Sequence, residues 1–406
     1  MKKIAGNPYI KKKDNDILLD SVLLSEILKE FNTPIMIFLE NRIRDNIVSF
    51  RKIFEKHFKK ASFYYSFKAN YLPELCSIIS SEGIGAELIS LPELHLALKI
   101  GFPGKKIIVG GPYLSNKLIE KSVKNDIQEL IIYNLNDLIK VNSIAKYYEK
   151  IQSICLRINS EKYHSKLGIR LDQKNIIKLK DLLGKCKNIK LTTILSHFTT
   201  QMNNPAQYKS NINSLTASIN NLAKENVYIE NINIGGGFPE ASVMPESQLE
   251  KIVCEIHSSL TNLDINYERI YVEPGRYIVG DAGLFLTKII NIEEDRWIFL
   301  DIGNHVCPKF AKCSLRFYNT SQINQPHKFK TSLAGIIPTD QDVLAKDYFF
   351  TEDLNEGDVV LVANVGAYTL TFSNRFPYEL PPILLIKNIN MKKIFDPAID
   401  HDISLF

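Results

Sequence analysis

Residues 62–110 of this 406-residue chain read SFYYSFKANYLPELCSIISSEGIGAELISLPELHLALKIGFPGKKIIVG. Three short apolar runs, at 62–67, 85–90 and 106–110, alternate in this stretch with segments whose apolar residues recur at helical spacing. Nearly continuous apolar strands are typical of a parallel sheet that helices cover. The stretch therefore predicts parallel strands connected by helices.

The same alternation continues as far as residue 273. Strand-like runs lie at 62–67, 85–90, 106–110, 129–133, 153–158, 191–196, 229–234 and 269–273. Helical patterns separate them, among them 92–100, 135–148 and 205–224, and an earlier one covers 41–58. Eight such units in roughly 210 residues predict an α/β fold, a (β/α)8 barrel of the TIM type. An open doubly wound sheet is the alternative that the pattern allows.

Beyond residue 280 the pattern changes. Short strand-like runs with turn signals and few helical segments follow, at 284–292, 297–300, 328–337, 359–363 and 383–386. We therefore expect a barrel domain at 35–280 and a mostly-β C-terminal domain at 281–406. Residues 1–34 fit neither pattern strongly, and we expect them to join the β domain.

Composition excludes several classes of protein. With 45% hydrophobic and 23% charged residues the chain is globular, and its net charge of +5 is too small to indicate nucleic-acid binding. No apolar run approaches the roughly 18 residues of a membrane span, and residues 1–7 lack the apolar stretch of a signal peptide. The six cysteines lack CxxC spacing, so we expect reduced thiols, no metal site and a cytoplasmic location.

Polar residues recur where the predicted barrel strands end, which is where barrel enzymes place their active sites. These are Lys68, Glu87, Arg157, His197, the glycine triplet 235–237 and the EPGR stretch 273–276. Taken singly, each of these residues has an ordinary structural explanation, as a surface lysine, a core histidine or part of a turn. Together they suit pyridoxal 5′-phosphate: glycine N–H groups and an arginine bind phosphate, a desolvated lysine of lowered pKa attacks an aldehyde, and a carboxylate keeps the pyridine nitrogen protonated.

Motifs in matching order resemble those of the fold-type III pyridoxal-phosphate decarboxylases, the group of ornithine, arginine and diaminopimelate decarboxylases. The family's YxxKAN corresponds to residues 65–70, its acid followed by SxxEL to 87–94, its SKFG to 165–168, its HxGS in altered form to 197–200, GGG and EPGR to 235–237 and 273–276, and GD and GAY to 357–358 and 366–368. Alanine racemases share the architecture, but their lysine motif continues as AYGHG, unlike residues 69–74 here.

The resemblance implies a role for each matched residue. Lys68 would attach the cofactor covalently, Glu273 would pair with the pyridine nitrogen, and His197 would stack on the ring. The phosphate would be held by Gly235, Gly236, Gly237, Arg276, Tyr368 and Thr200, which replaces the usual serine. Glu87, Arg157 and Glu93 would make supporting contacts.

One departure from the family concerns its GPxCExxD motif, which a second subunit contributes and whose cysteine returns a proton after CO₂ leaves. In residues 335–342, Pro338 occupies the cysteine position and Thr339 the acid position, whereas Gly335 and Asp342 align. The candidates for the missing proton donor are Asp340, Cys307, Cys313 and His305. The family's RPxLY is not recognisable around 307–310 either. The resemblance still implies a homodimer with shared active sites, in which Asp342 of the second subunit is catalytic.

The sequence therefore predicts a pyridoxal-phosphate-dependent decarboxylase of a small amino-acid-type substrate, with no nucleic-acid or membrane partner. The altered motif favours a citryl-amino acid of siderophore biosynthesis, citryl-ornithine or citryl-diaminopropionate. The alternatives are a diaminopimelate or ornithine decarboxylase, a racemase or oxidative deaminase that uses the same cofactor, and a non-enzymatic relative. Retention of Lys68 and of the stretches 235–237 and 273–276 argues against the last of these.

Overall fold

A computed structural model describes residues 3–159, 165–263 and 266–400. The outermost residues of the predicted N-terminal segment and β domain, 1–2 and 401–406, lie outside the described residues, as do 160–164 and 264–265 within the predicted barrel domain. The described strands form three sheets: a four-stranded sheet, a closed barrel and a nine-stranded sheet.

The four-stranded sheet lies at the start of the chain. It comprises β1 (Lys3–Ile4), β2 (Asn7–Lys13), β3 (Asp16–Leu19) and β4 (Val22–Leu23), and helix α1 (Leu24–Glu30) follows it. Ile10 and Ile17 are fully buried in a cluster that also contains Leu284 and Leu384 of the nine-stranded sheet. This segment therefore packs on the β domain through its own apolar core.

Strand β5 (Ile35–Leu39) connects this segment to helix α2 (Glu40–His57). The predicted domain boundary at residue 35 assigned β5 to the barrel domain, whereas the structure pairs it with strands of the nine-stranded sheet. All five residues of β5 are fully buried, so an apolar strand of this kind is stable in either sheet. The chain enters the barrel only after α2.

The barrel is closed by eight parallel strands in the order β10-β11-β12-β13-β6-β7-β8-β9, which confirms the predicted TIM-type fold. Its elements in chain order are β6 (Ala61–Ser66), α3 (Pro73–Ser81), β7 (Gly85–Leu88), α4 (Leu91–Ile100), β8 (Ile107–Gly110), α5 (Asn116–Lys124), β9 (Glu129–Ile132), α6 (Asn136–Tyr147), β10 (Gln152–Arg157), α7 (Gln173–Lys185), β11 (Ile189–Leu195), α8 (Pro205–Lys224), β12 (Asn231–Asn233), α9 (Glu246–Asn262), β13 (Arg269–Val272) and α10 (Arg276–Val279). The pairing of β13 with β6 closes the barrel.

The nine-stranded sheet confirms the mostly-β C-terminal domain. It adds to β5 the strands β14 (Gly283–Glu293), β15 (Trp297–Leu300), β16 (Arg316–Asn319), β17 (Phe329–Ala334), β18 (Val343–Phe350), β19 (Val359–Ala363), β20 (Ile383–Lys387) and β21 (Asn390–Phe395). No described helix is long and apolar enough to span a membrane.

Aromatic packing holds α2 against the barrel. Phe50 and Phe54 on one face of α2 meet Phe63 of β6 and Phe238 edge to face, with ring centroids 5.0–6.0 Å apart. Tilted and edge-on arrangements are the favourable geometry for aromatic pairs. This packing fixes the barrel strands whose carboxyl ends carry the polar residues.

Candidate active site

A cavity of about 540 Å³ opens at the carboxyl end of the barrel strands. The predicted cofactor-binding residues that line it are Lys68, Glu87, Arg157, His197, Thr200, Gly236, Gly237, Glu273, Arg276 and Tyr368. They come from distant parts of the chain, and the parallel strands bring them together because all eight carboxyl ends meet at one rim. Gly235 packs directly behind His197.

Lys68 lies just after β6, in a short turn of 3₁₀ helix, and faces Glu87 of β7. Its Nζ contacts the Glu87 carboxylate and donates to Ser66 Oγ at 2.7 Å. Burial, the largest single influence, lowers the pKa of Lys68, but Glu87, Tyr368 and Glu273 together raise it more, so the pKa ends above its ordinary value. The expectation of a lowered lysine pKa is therefore wrong, because the acidic groups around the lysine together outweigh desolvation.

Glu273 follows β13 and is oriented by Asn233, the last residue of β12. Asn233 Nδ2 donates to Glu273 Oε1 at 2.8 Å, and Asn233 Oδ1 accepts the Gly235 N–H at 2.8 Å. Burial, assisted by the nearby Glu87 charge, raises the pKa of Glu273 to about 7. Asn233 was not among the residues predicted from the sequence, although a polar residue at a strand end two positions before the glycine triplet was a usable signal.

His197 is a neutral imidazole held by the glycine triplet. Its Nδ1 accepts the Gly236 N–H at 3.1 Å, and burial together with Arg157 and Lys68 lowers the pKa of His197 to about 3. Gly235 has φ +67°, and a Cβ at this residue would lie 2.6 Å from His197 Nδ1. Glycine is therefore required here both by the backbone and by the position of the ring.

Arg276 is clamped from three sides. Its Nη1 lies 3.1 Å from Glu240, its Nη2 donates to the Ala311 carbonyl at 2.6 Å, and its guanidinium lies 4.9 Å from the centre of the Tyr368 ring. Its buried Nε has no hydrogen-bond partner among the described residues, and the same holds for Arg157 Nε. Glu240 is fully buried and is a further site residue that was not predicted from the sequence.

The other supporting residues differ in position. Arg157 Nη1 donates to Tyr133 Oη at 2.7 Å on the cavity wall, and Thr200 is exposed at the rim. Glu93 lies outside the cavity, where its carboxylate accepts the Ile89 N–H at 2.6 Å and burial raises its pKa to about 7. Glu93 therefore stabilises the turn that follows β7, the strand that carries Glu87.

Asp342 does not line this cavity within its own chain. Its buried carboxylate accepts the N–H of Asn304 at 2.6 Å and of Ile337 at 2.8 Å, which fixes the loop 335–342. Of the candidate proton donors, Cys313 has its Sγ 3.4 Å from the Ala367 carbonyl and 4.0 Å from Arg276 Nη1. His305 and Cys307 are buried in the β domain, and Asp340 is exposed.

The cavity meets the chemical requirements of a phosphorylated aldehyde cofactor. It presents an amine at Lys68 and a protonatable carboxyl at Glu273, and the Nε of Arg276 and of Arg157 are buried donors suited to an anion. At Gly236 a Cβ would lie 2.3 Å from the Glu273 carbonyl oxygen, so only glycine lets the backbone approach this closely. Fold and site together define a barrel enzyme of pyridoxal-phosphate chemistry.

Comparison with known proteins identifies the family. Residues 44–280 match the model of the pyridoxal-dependent decarboxylases, pyridoxal binding domain. A diaminopimelate decarboxylase of Aquifex aeolicus is 26% identical over 96% of this chain and 94% of the relative. A decarboxylase of L-glutamyl-BtrI acyl-carrier protein from Niallia circulans is 24% identical over 87% of this chain and 88% of the relative. The crystal structure of a diaminopimelate decarboxylase from Methanocaldococcus jannaschii has a TM-score of 0.88 at 21% identity, covering 97% and 96% of the two chains.

The family match extends over more than half of the chain, so the chain belongs to the pyridoxal-dependent decarboxylases. It is an enzyme whose cofactor is pyridoxal phosphate and whose reaction is a decarboxylation. The family, cofactor and reaction class expected from the sequence are thereby confirmed.

Proposed function

We propose that the cavity residues support decarboxylation in three ways: covalent attachment of the cofactor, transfer and retention of protons, and binding of the cofactor phosphate. Pyridoxal phosphate supplies an aldehyde that condenses with amines and a ring that takes up the electron pair left when a carboxylate departs as CO₂. Lys68 Nζ would hold the cofactor through its aldehyde, and Glu87 would accept and return the proton of that amine. Glu273 would hold the proton on the ring nitrogen. The observation that carries this assignment is the convergence of Lys68, Glu273 and His197 in one buried cavity.

The remaining residues orient the cofactor. The flat, neutral ring of His197 would pack against the cofactor ring without adding a charge. The phosphate would be bound by the Gly237 N–H, by Arg276 Nε and by the hydroxyls of Thr200 and Tyr368, while the Gly236 N–H donates to His197 Nδ1. Backbone N–H groups and a guanidinium are the usual phosphate donors in proteins.

For the substrate, we propose a citryl-amino acid, citryl-ornithine or citryl-diaminopropionate. Among the described residues that line the cavity, the acidic side chains are Glu87 and Glu273, and both serve the cofactor. The described lining thus offers no further carboxylate to a distal ammonium, and acylation by citrate removes that ammonium. Thr339 at the family's acidic position supports the same conclusion. Diaminopimelate and ornithine are the rival substrates, because relatives carry those activities in their names.

The substrate is tested by incubating the purified holoenzyme separately with citryl-ornithine, citryl-diaminopropionate, meso-diaminopimelate and ornithine. We expect CO₂ release and a product lighter by one CO₂ from a citryl compound. Turnover of diaminopimelate or ornithine alone would refute the citryl proposal while leaving the decarboxylase intact. A product that keeps its carboxylate would indicate racemisation, and an aldehyde with ammonia would indicate oxidative deamination.

For the assembly, we propose a homodimer in which the loop 335–342 of one subunit completes the cavity of the other. An aromatic patch supports this: the exposed rings of Phe310 and Phe372 are in contact, with centroids 4.6 Å apart, and Phe310 is 71% exposed. The patch is continuous with the cavity, because Phe372 stacks on Tyr368 with centroids 6.0 Å apart. Contiguous exposed apolar surface of this kind marks protein interfaces. We place the enzyme in the cytoplasm, where its six free cysteines stay reduced.

A further inference from the structure

Three metal-binding types of side chain meet on the outside of the barrel, far from the cavity. They are His57 at the end of α2 and Glu250 and Cys254 on α9, and one ligand atom from each lies within 4.8 Å of the others. His57 precedes the amino end of β6, whereas Lys68 follows its carboxyl end. The cluster and the active site are therefore at opposite ends of the barrel.

The distances suit a tetrahedral ion. His57 Nε2 lies 3.6 Å from Cys254 Sγ and 2.9 Å from Glu250 Oε1. A tetrahedral zinc ion with ordinary bond lengths needs about 3.6 Å between nitrogen and sulfur ligands and about 3.4 Å between nitrogen and oxygen ligands. The first distance already fits. The second requires a small outward shift of a partly exposed glutamate.

A fourth ligand is available on the same helix face. Glu250, Cys254 and His257 are spaced i, i+4 and i+7 along α9, which places them on one side of the helix. The ring centroids of His57 and His257 are 6.0 Å apart. Two imidazoles on one tetrahedral ion have centroids roughly 5 Å apart. A modest rotation of His257 therefore completes the set.

We propose that His57, Glu250, Cys254 and His257 bind one divalent transition-metal ion of the zinc class. A thiolate with imidazoles and one carboxylate selects zinc over magnesium or calcium, which prefer oxygen ligands. The Cys254 thiol releases its proton to solvent when its sulfur binds the ion. Because α2 leads into β6 and α9 leads into β13, the ion ties together the helices beside the pairing that closes the barrel.

The Lys56 ammonium group competes with this ion for the Glu250 carboxylate, and this competition can be tested. Its Nζ lies 2.7 Å from Glu250 Oε1, and its side chain is 65% exposed. An ion at the cluster must displace this ammonium group from the carboxylate. Removing the lysine should therefore strengthen metal binding, whereas removing a ligand should weaken it.

The experiment measures Zn²⁺ binding to the EDTA-treated, dialysed holoenzyme by equilibrium dialysis with elemental analysis, and records the visible d–d bands of Co²⁺. We expect one equivalent of Zn²⁺ in the wild type, affinity at least roughly 10-fold lower for Cys254→Ser and His57→Ala, and higher affinity for Lys56→Ala. Cys186→Ser, which removes a thiol elsewhere, should bind like the wild type. Tetrahedral Co²⁺ bands should disappear in Cys254→Ser.

Two readouts separate loss of a ligand from loss of the fold. The metal-free variants should melt at the wild-type temperature, and all should retain decarboxylase turnover within about 2-fold, because the cluster lies at the other end of the barrel. Zn²⁺ affinity that is unchanged in both Cys254→Ser and His57→Ala, or a wild type without bound Zn²⁺, would overturn the proposal.

Discussion

At the scale of single residues, Lys68 combines a covalent role with a charge that pairs with Glu87. We expect Lys68→Ala to lose covalently attached cofactor and to lower turnover by roughly 10³-fold or more, because the attacking amine is gone. Lys68→Arg is the matched control, since its guanidinium keeps a positive charge beside Glu87 but does not condense with an aldehyde. Visible absorbance of the attached cofactor and CO₂ release measure both. Near-normal turnover in the arginine variant would show that Lys68 serves only as the ion-pair partner of Glu87.

Glu273 is expected to act through its charge at the ring nitrogen. Glu273→Gln should lower turnover by roughly 10²–10³-fold, the usual effect of removing one preorganised electrostatic group. Glu129→Gln is its control: burial raises the pKa of that carboxyl also to about 7, but Glu129 begins β9 at the opposite end of the barrel. Steady-state CO₂ release should be unchanged in the control. Equal losses in both variants would point to a general effect of buried carboxyls.

The identities of the site residues could be predicted from the sequence more fully than their electrostatics. Lys68 and Glu273 lie in motifs and at strand ends, which a linear pattern reveals. The rise in the Lys68 pKa depends on contact with Glu87, and that contact exists only because β6 and β7 pair in one particular register. Glu240 was missed for the same reason, since its pairing with Arg276 joins a loop to the first residue of α10, and no spacing rule connects the two.

At the scale of elements, the loop after β12 positions His197. Gly235→Ala is expected to weaken cofactor binding by roughly 10-fold or more, because the new Cβ meets the imidazole and the backbone has φ +67°. Gly184→Ala in α7 is the matched control, since a Cβ at that position has no neighbour within 4 Å. Cofactor titration of the stripped proteins provides the measurement. An unchanged dissociation constant for Gly235→Ala would show that the histidine ring moves aside freely.

Glu129 of β9 forms hydrogen bonds with β11, on the far side of the intervening strand β10, and makes stability depend on pH. Its Oε1 accepts from Thr192 at 2.9 Å and from Thr193 at 2.5 Å, and burial raises its pKa from 4.5 to about 7. A raised pKa means that the folded state holds the proton more tightly. The resulting stability is fully present below pH 4.5, declines up to about pH 7 and is absent above it.

Glu129→Gln should therefore flatten the pH dependence of unfolding. We expect the wild type to lose roughly 1–3 kcal/mol more than the variant between pH 5 and pH 8. Part of the slope should remain, because burial also raises the pKa values of Glu93 and Glu273 to about 7. Urea midpoints of the cofactor-free proteins at several pH values test this. Parallel curves for the two proteins would contradict it.

The boundaries of the barrel strands could be predicted from the spacing of apolar residues. The sheet to which a strand belongs could not. The strands β6 to β13 lie within a few residues of the predicted runs, because each apolar run ends where the chain turns polar. The residues of β5 form an equally apolar run, and such a run carries no information about which sheet it joins. Its partners, β14 and β20, lie far along the chain.

At the scale of the whole molecule, the proposed shared site predicts how much activity two inactive variants recover when they are mixed. A mixture of inactive Lys68→Ala and inactive Asp342→Ala proteins should recover up to about a quarter of wild-type activity, because random exchange gives half heterodimers, each with one intact site. Because Asp342 also holds its own loop in place, Asp342→Ala could disturb the loop as well as remove the carboxylate. Asp340→Ala, in the same loop, should therefore be tested in the same mixing experiment. No recovery, despite subunit exchange shown by mass, would place the whole site in one chain.

The position of β5 in the middle of the nine-stranded sheet has a consequence during protein synthesis. The strand leaves the ribosome early, but β14 starts at Gly283, and at 5–20 residues per second the roughly 240 intervening residues take on the order of 10–50 s. For that time IMIFL is a nascent apolar segment with both hydrogen-bonding edges open, the kind of segment that aggregates or recruits chaperones. The barrel strands can pair before translation of the β domain ends, so the last part of the fold to form joins the two ends of the chain.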